Sequence, residues 1–139
     1  MEPGHTDVTA SAAAAAAMPD SGLTHGECAK VSQVLGRVGD KWTVIVVTRL
    51  GDGSLRFSEI KRQIGDISQR MLTLTLKNLE RDGLVTRTVT AVVPPRVDYA
   101  LTDLGRSLLQ PMQALGAWAY AHIGQMDAAR ARYDEKAGE

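Results

Sequence analysis

Residues 68–77 of this 139-residue chain concentrate side chains that could read a nucleic acid: Ser68, Gln69, Arg70, Thr73, Leu74 and Lys77. On an α-helix, Arg70, Leu74, Lys77 and Arg81 share one side, with Thr73 at its edge. An arginine guanidinium matches the N7 and O6 acceptors of guanine, and a threonine or apolar side chain can meet a thymine methyl. Ser68 and Gln69 stand at the expected helix start, where free backbone amides can hold a phosphate. Leu74 is out of place on a solvated basic face and sensible against a base edge. A plain surface helix with one stray leucine, and an Arg70 tied to Asp66 or Glu80, is the alternative reading of the same residues. Two further cations, Arg87 and Arg96, lie on alternating stretches joined by Val92-Val93-Pro94-Pro95. There a cation suits a backbone phosphate or the minor groove, with solvated strand charge as the alternative.

A different chemistry attaches to Cys28, the single cysteine. It falls at the N-terminal end of an expected helix, where the dipole favours an anion; Lys30 reinforces this and Glu27 opposes it. Two copies of the chain could form an intersubunit disulfide or separate adducts, which makes Cys28 a candidate redox sensor. A small interface thiol without a sensing role is the alternative. One thiol excludes an intrachain disulfide framework and a multi-cysteine zinc site. His5, His25 and His122 show no metal spacing. A thiol enzyme would need a base or a resolving thiol beside Cys28, and none is recognisable. No catalytic residue, metal or cofactor is therefore expected.

These side chains need elements to position them. Ser68 caps an expected helix that runs to about Asp82 and stops at Gly83. Leu72, Leu76 and Leu79 fall at i, i+4, i+7 and form its buried stripe. A shorter helix, Ser58 to about Ile64, precedes it and breaks at Gly65-Asp66. Upstream, Val31, Val34, Leu35 and Val38 mark a short amphipathic helix ended by Gly39. Asp40 then caps a second helix up to Gly51. Its run Val44-Ile45-Val46-Val47 is β-branched, but Trp42, Ile45, Val46, Arg49 and Leu50 fit a 3.6 period. Being apolar on most sides, that helix belongs at the centre of the domain. Residues 54–57 form a short extended piece. Leu84–Thr90 and Arg96–Leu101 alternate as two strands of a hairpin. Helix, helix, strand, helix, recognition helix, hairpin is the order of a winged helix-turn-helix, a mainly α (α+β) fold.

A long helix is expected from Thr102-Asp103 to about Met126, bent near Ser107 by Pro111. Its stripe of Leu104, Leu108, Met112, Leu115, Ala119, Ile123 and Met126, with Trp118 and Tyr120 beside it, is too large to bury against one small domain. A second subunit about a two-fold axis is expected instead, with Val31, Leu108, Met112, Leu115, Trp118, Ala119 and Ile123 at the interface; folding of the helix back onto its own domain is the alternative. Trp42, Trp118 and Tyr120 are candidates to line a cleft for an aromatic effector.

Formal net charge is zero, yet residues 30–102 carry 12 Lys/Arg against 7 Asp/Glu while the remainder carries 4 against 9. The helix and hairpin region is thus basic and the flanks acidic, the distribution a nucleic-acid binder needs. The Ala12–Ala17 run lacks the basic residues of a secretion signal, and no stretch approaches a membrane span, so a cytoplasmic protein without a membrane partner is expected. Residues 1–24 have no face to bury and are expected to be disordered; 25–127 form the domain with its dimerisation helices, and 128–139 a polar, Ala-rich tail that is either helical or irregular.

The chain resembles the HxlR-type winged-helix regulators, relatives of the MarR family. The resemblance lies in Ile67-Ser68-Gln69-Arg70-Met71-Leu72-Thr73, Leu76-Lys77-Asn78-Leu79-Glu80-Arg81-Asp82-Gly83-Leu84-Val85, and Val93-Pro94-Pro95-Arg96-Val97-Asp98-Tyr99-Ala100-Leu101-Thr102 with Gly105. Gly39-Asp40-Lys41-Trp42, Leu115 and Trp118 fit the same pattern, so it spans roughly residues 27–126. The resemblance implies a homodimer on double-stranded DNA at a two-fold operator, built by helices at both ends of the domain. It also implies a cysteine near the start of the first helix that senses oxidants or electrophiles in several members. Cys28 matches that position, although Ala29 stands where many members have proline. The leading expectation is a transcriptional regulator, more specifically a repressor, answering to thiol chemistry or to a small ligand at the dimer interface. A winged-helix protein-interaction module without DNA binding is the competing expectation, supported by exposed Leu74 alone.

Overall fold

The computed structural model describes residues 22–138. The disorder expected for residues 1–24 therefore lies outside the described residues except at its end, where Thr24 has a defined role. The chain divides after Gly39 into two compact units. The first contains α1 (His25–Val38), which Thr24 and Glu27 cap reciprocally. The Thr24 hydroxyl accepts from the Glu27 amide at 3.1 Å, and the Glu27 carboxylate accepts from the Thr24 amide at 2.9 Å. No residue of α1 is buried.

The second unit starts at Asp40, whose carboxylate accepts from the amides of Trp42 and Thr43 and so opens α2 (Lys41–Leu50). The β-branched run is helical, as expected, because caps punctuate both ends and neighbours surround it. α2 buries Thr43, Val46, Val47 and Leu50, an i, i+3, i+4, i+7 face. This corrects the expected face: Arg49 is exposed and Trp42 and Ile45 are only half-buried. A helix apolar on most sides carries little directional signal, so its packing partners choose the face.

β1 (Leu55–Arg56) leads into α3 (Phe57–Ile64), and Gly65 turns the chain with φ +85. α4 (Gln69–Arg81) follows, then β2 (Val85–Thr90) and β3 (Arg96–Leu101). The strands make an antiparallel sheet in the order β1-β3-β2, with Val85 opposite Leu101 and Thr90 opposite Arg96. The hairpin expected from sequence is present. The pairing of β1 with β3 adds a third strand, two residues long and without an alternation signal of its own. Val46, Val47, Leu50, Ile60, Ile67, Leu72, Leu76, Leu79, Leu84, Val85, Tyr99 and Leu101 form the core between the helices and one sheet face. Each fully buried aliphatic side chain contributes roughly 1.5–3 kcal/mol.

The C-terminal segment is interrupted near Ser107, where a bend is expected, and its helix runs beyond Met126. It is two helices, α5 (Asp103–Arg106) and α6 (Leu109–Ala137). The chain breaks at Ser107-Leu108, and Pro111 sits in the first turn of α6. The first amide of α6 with a helical partner is that of Met112, which bonds the Leu108 carbonyl at 3.0 Å. Proline there gives up no hydrogen bond. At the other end the helix continues to Ala137, so the Ala- and charge-rich polar tail takes the helical form that its composition allows. No helix among the described residues is long and apolar enough to cross a membrane.

Candidate nucleic-acid interface

α4 separates its residues as the spacing predicts. Leu72, Thr75, Leu76 and Leu79 are buried, whereas Gln69, Arg70, Thr73, Leu74, Lys77 and Arg81 are exposed. Leu74 keeps 50% of its surface exposed. Arg70 is in no ion pair among the described residues, so the alternative in which Asp66 or Glu80 neutralises it is absent from this structure. Ser68 is committed: its hydroxyl accepts the Met71 amide at 3.0 Å as the N-cap. It therefore sets where the helix begins, and Gln69 is the first side chain to project from it.

Both ends of α4 are held firmly. At the C-terminus, the Gly83 amide bonds the Glu80 carbonyl and the Leu84 amide bonds the Leu79 carbonyl, with Gly83 at φ +78. This pair of bonds is a Schellman motif, and it directs the chain straight into β2. The Thr102 hydroxyl donates to the Gly83 carbonyl at 2.6 Å, and Gly105 lies so close to the Leu84 carbonyl that a Cβ there would overlap it. The turn between recognition helix and hairpin is thus clamped by α5.

The register of the hairpin sorts its two arginines. Paired residues project to the same sheet face, so Val85, Arg87 and Val89 share a face with Val97, Tyr99 and Leu101. Arg96 lies on the other face beside Asp98, and its Nε donates to Asp98 Oδ2 at 3.1 Å. The two wing cations therefore leave the ribbon on opposite faces; Arg96 is paired with Asp98, whereas Arg87 is in no ion pair among the described residues. The tip between them, with Pro94 and Pro95, is exposed and Val93 is completely so.

Two cations missed in the sequence reading join this surface. Lys61 and Arg62 of α3 line an open groove of about 510 Å³ with Phe57, Ser58, Gly65 and Gln69. Asn78 and Arg81 border a second depression with Leu74, Lys77 and Glu80. The signal for the first was available as a Lys-Arg pair just ahead of the Gly65 turn. What it lacked was the angle between α3 and α4 that brings the pair beside Gln69.

This arrangement of helix, turn, helix and hairpin matches a known family over residues 37–127. The chain belongs to the HxlR-like helix-turn-helix family. An HTH-type transcriptional regulator of Methanothermobacter thermautotrophicus is 49% identical over 88 residues, covering 63% of this chain and 67% of that one. The redox regulator HypR in its oxidised form superposes with a TM-score of 0.61 at 41% identity, covering 66% of this chain and 95% of that one. Diamide-treated YodB from B. subtilis gives a TM-score of 0.61 at 37% identity, covering 70% of this chain and 96% of that one. The HxlR-like chain described here is accordingly a helix-turn-helix transcriptional regulator with a winged-helix fold.

The remaining expected residues are placed as follows. Cys28 is exposed in the first turns of α1, its amide bonded to the Thr24 carbonyl at 2.9 Å. Among the expected interface residues, Val31, Leu108 and Met112 are half-buried, and Leu115, Trp118, Ala119 and Ile123 are exposed. Trp118 and Tyr120 are two residues apart on α6, about 200° around its axis, and so project to opposite sides. Trp118 instead stacks on His122 with centroids 4.6 Å apart, and Lys41 Nζ lies 4.4 Å from the centroid of the Trp42 ring. No group of three or more His, Cys, Asp or Glu suited to a metal occurs among the described residues.

Proposed function

We propose that this HxlR-like regulator is a cytoplasmic, homodimeric repressor that binds a near-palindromic operator in double-stranded DNA. The observation that carries the reading is α4, which buries Leu72, Leu76 and Leu79 and presents Arg70, Thr73, Leu74 and Lys77 on its open side. In the groove Arg70 and Lys77 take base edges or phosphates, Thr73 and Leu74 meet thymine methyls, and Gln69 lies at the helix start. Arg87 and the Pro94-Pro95 tip with Arg96 flank the backbone. Support for the homodimer comes from α6, none of whose 29 residues is buried in a single chain.

The repressor answers to oxidants or electrophiles through Cys28. An exposed thiol in the first turns of α1 supports this, as does likeness to a redox regulator and to a regulator treated with diamide. The deciding experiment is a gel shift on the DNA upstream of the chain's own gene, with wild type and Cys28→Ser, each reduced and treated with diamide or a quinone. Release by wild type alone makes Cys28 the sensor. Binding by both with no response leaves a non-covalent effector as the signal. Failure of both to bind overturns the operator assignment.

A further inference from the structure

Five apolar residues of α6, four exposed and Met112 half-buried, are ordered in a way that specifies their partner. Met112, Leu115, Ala119, Ile123 and Met126 are spaced three, four, four and three residues apart, so the stripe has the same spacing read from either end of Ala119. At about 100° per residue, all five lie within about 40° of the direction of Ala119. Leu115 is 65% and Ile123 57% exposed.

A contact between identical chains about a two-fold axis is isologous: if residue i meets j, then j meets i. A stripe symmetric about one residue meets that condition when the helices run antiparallel. Met112 then faces the partner's Met126, Leu115 faces the partner's Ile123, and Ala119 faces its own copy, small enough for the helices to come close. The parallel alternative is a heptad seam of Met112, Ala119, Met126 and Tyr133 with Leu115, His122, Ala129 and Lys136. That seam sets lysine against lysine at its end and leaves Ile123 outside.

We propose that α6 pairs antiparallel with α6 of a second copy, with Ala119 on the two-fold axis. The proposal rests on the homodimer above and deepens it by giving the interface an orientation and a register. Residue 129 then lies level with the partner's Leu109, so residues 130–137, including exposed Tyr133, run about 12 Å past the start of the partner's helix.

Single cysteines test this in full-length protein carrying Cys28→Ser. Packed helix axes lie about 8–10 Å apart and Cα atoms about 2.3 Å from each axis, so facing Cα atoms on the two-fold come within about 3–5 Å, at the edge of disulfide reach. Under mild oxidation, Ala119→Cys should give a covalent dimer in most of the protein. Met112→Cys and Met126→Cys should each stay uncrosslinked alone and link to one another when the two proteins are mixed and allowed to exchange. Self-linking of Met112→Cys and Met126→Cys would overturn the antiparallel register in favour of the heptad seam. Sedimentation before oxidation separates the two levels of failure. A monomer overturns the dimer itself, while a dimer with the wrong cross-links overturns only its register.

Discussion

Arg70 and Arg96 illustrate how the same side chain differs with its neighbours. Arg70 stands on an open helix face with no ion pair among the described residues, whereas Arg96 donates its Nε to Asp98. A free guanidinium can place two donors on a guanine; a paired one has part of its charge already compensated. Arg70→Ala should therefore weaken operator binding by about 1–3 kcal/mol and relax specificity at one base position. Titrating a set of single-base operator variants checks this, and unchanged binding would favour a protein-interaction module. On the wing, Arg87→Ala should reduce the slope of log affinity against log salt by about one, as expected for a lost phosphate contact. Arg96→Ala should reduce it by less, because Asp98 already faces that charge. Affinities measured across a salt series distinguish the two.

At the scale of the element, α4 depends on its two ends and its buried stripe. Ser68→Ala removes the acceptor for the Met71 amide and should lower stability by about 0.5–2 kcal/mol. Leu79→Ala opens a cavity at a fully buried position and should cost about 2–5 kcal/mol. Gly105→Ala acts from outside the helix-turn-helix. Its methyl would overlap the Leu84 carbonyl, so α5 must shift from the turn between α4 and β2, at about 1–3 kcal/mol. Urea unfolding measures all three. The Gly105 substitution should also weaken DNA binding in the fully folded protein, since it moves the wing relative to the recognition helix.

For the whole molecule, the proposed homodimer engages DNA through two copies of the winged domain. Two linked half-site contacts raise affinity by roughly 10²–10⁴ over one. Leu115→Glu, which sets charge into the apolar stripe of α6, should shift the protein to monomer in sedimentation and lose operator affinity on that order. The isolated domain should remain folded, because Leu115 contributes nothing to the core. Retained tight binding by a monomeric variant would place the source of affinity elsewhere.

By itself the sequence determined the parts whose signals are local. Ser68, Gly65 and Gly83 mark boundaries through hydrogen bonding and backbone conformation within a few residues, and Leu72, Leu76 and Leu79 mark a face through their period. The hairpin was legible from alternation on either side of a proline turn. Tertiary structure decided what depends on partners distant in the chain. α2 is apolar on most sides, so only its packing against α3, α4, β3 and α6 selected Thr43 and Val47 over Trp42 and Arg49. Strand register, not composition, sent Arg87 and Arg96 to opposite faces. The angle between α3 and α4 brought Lys61 and Arg62 beside Gln69, and helical rotation parted Trp118 from Tyr120. Local chemistry writes an element into the chain; which neighbour it meets is set by the geometry of the packed whole.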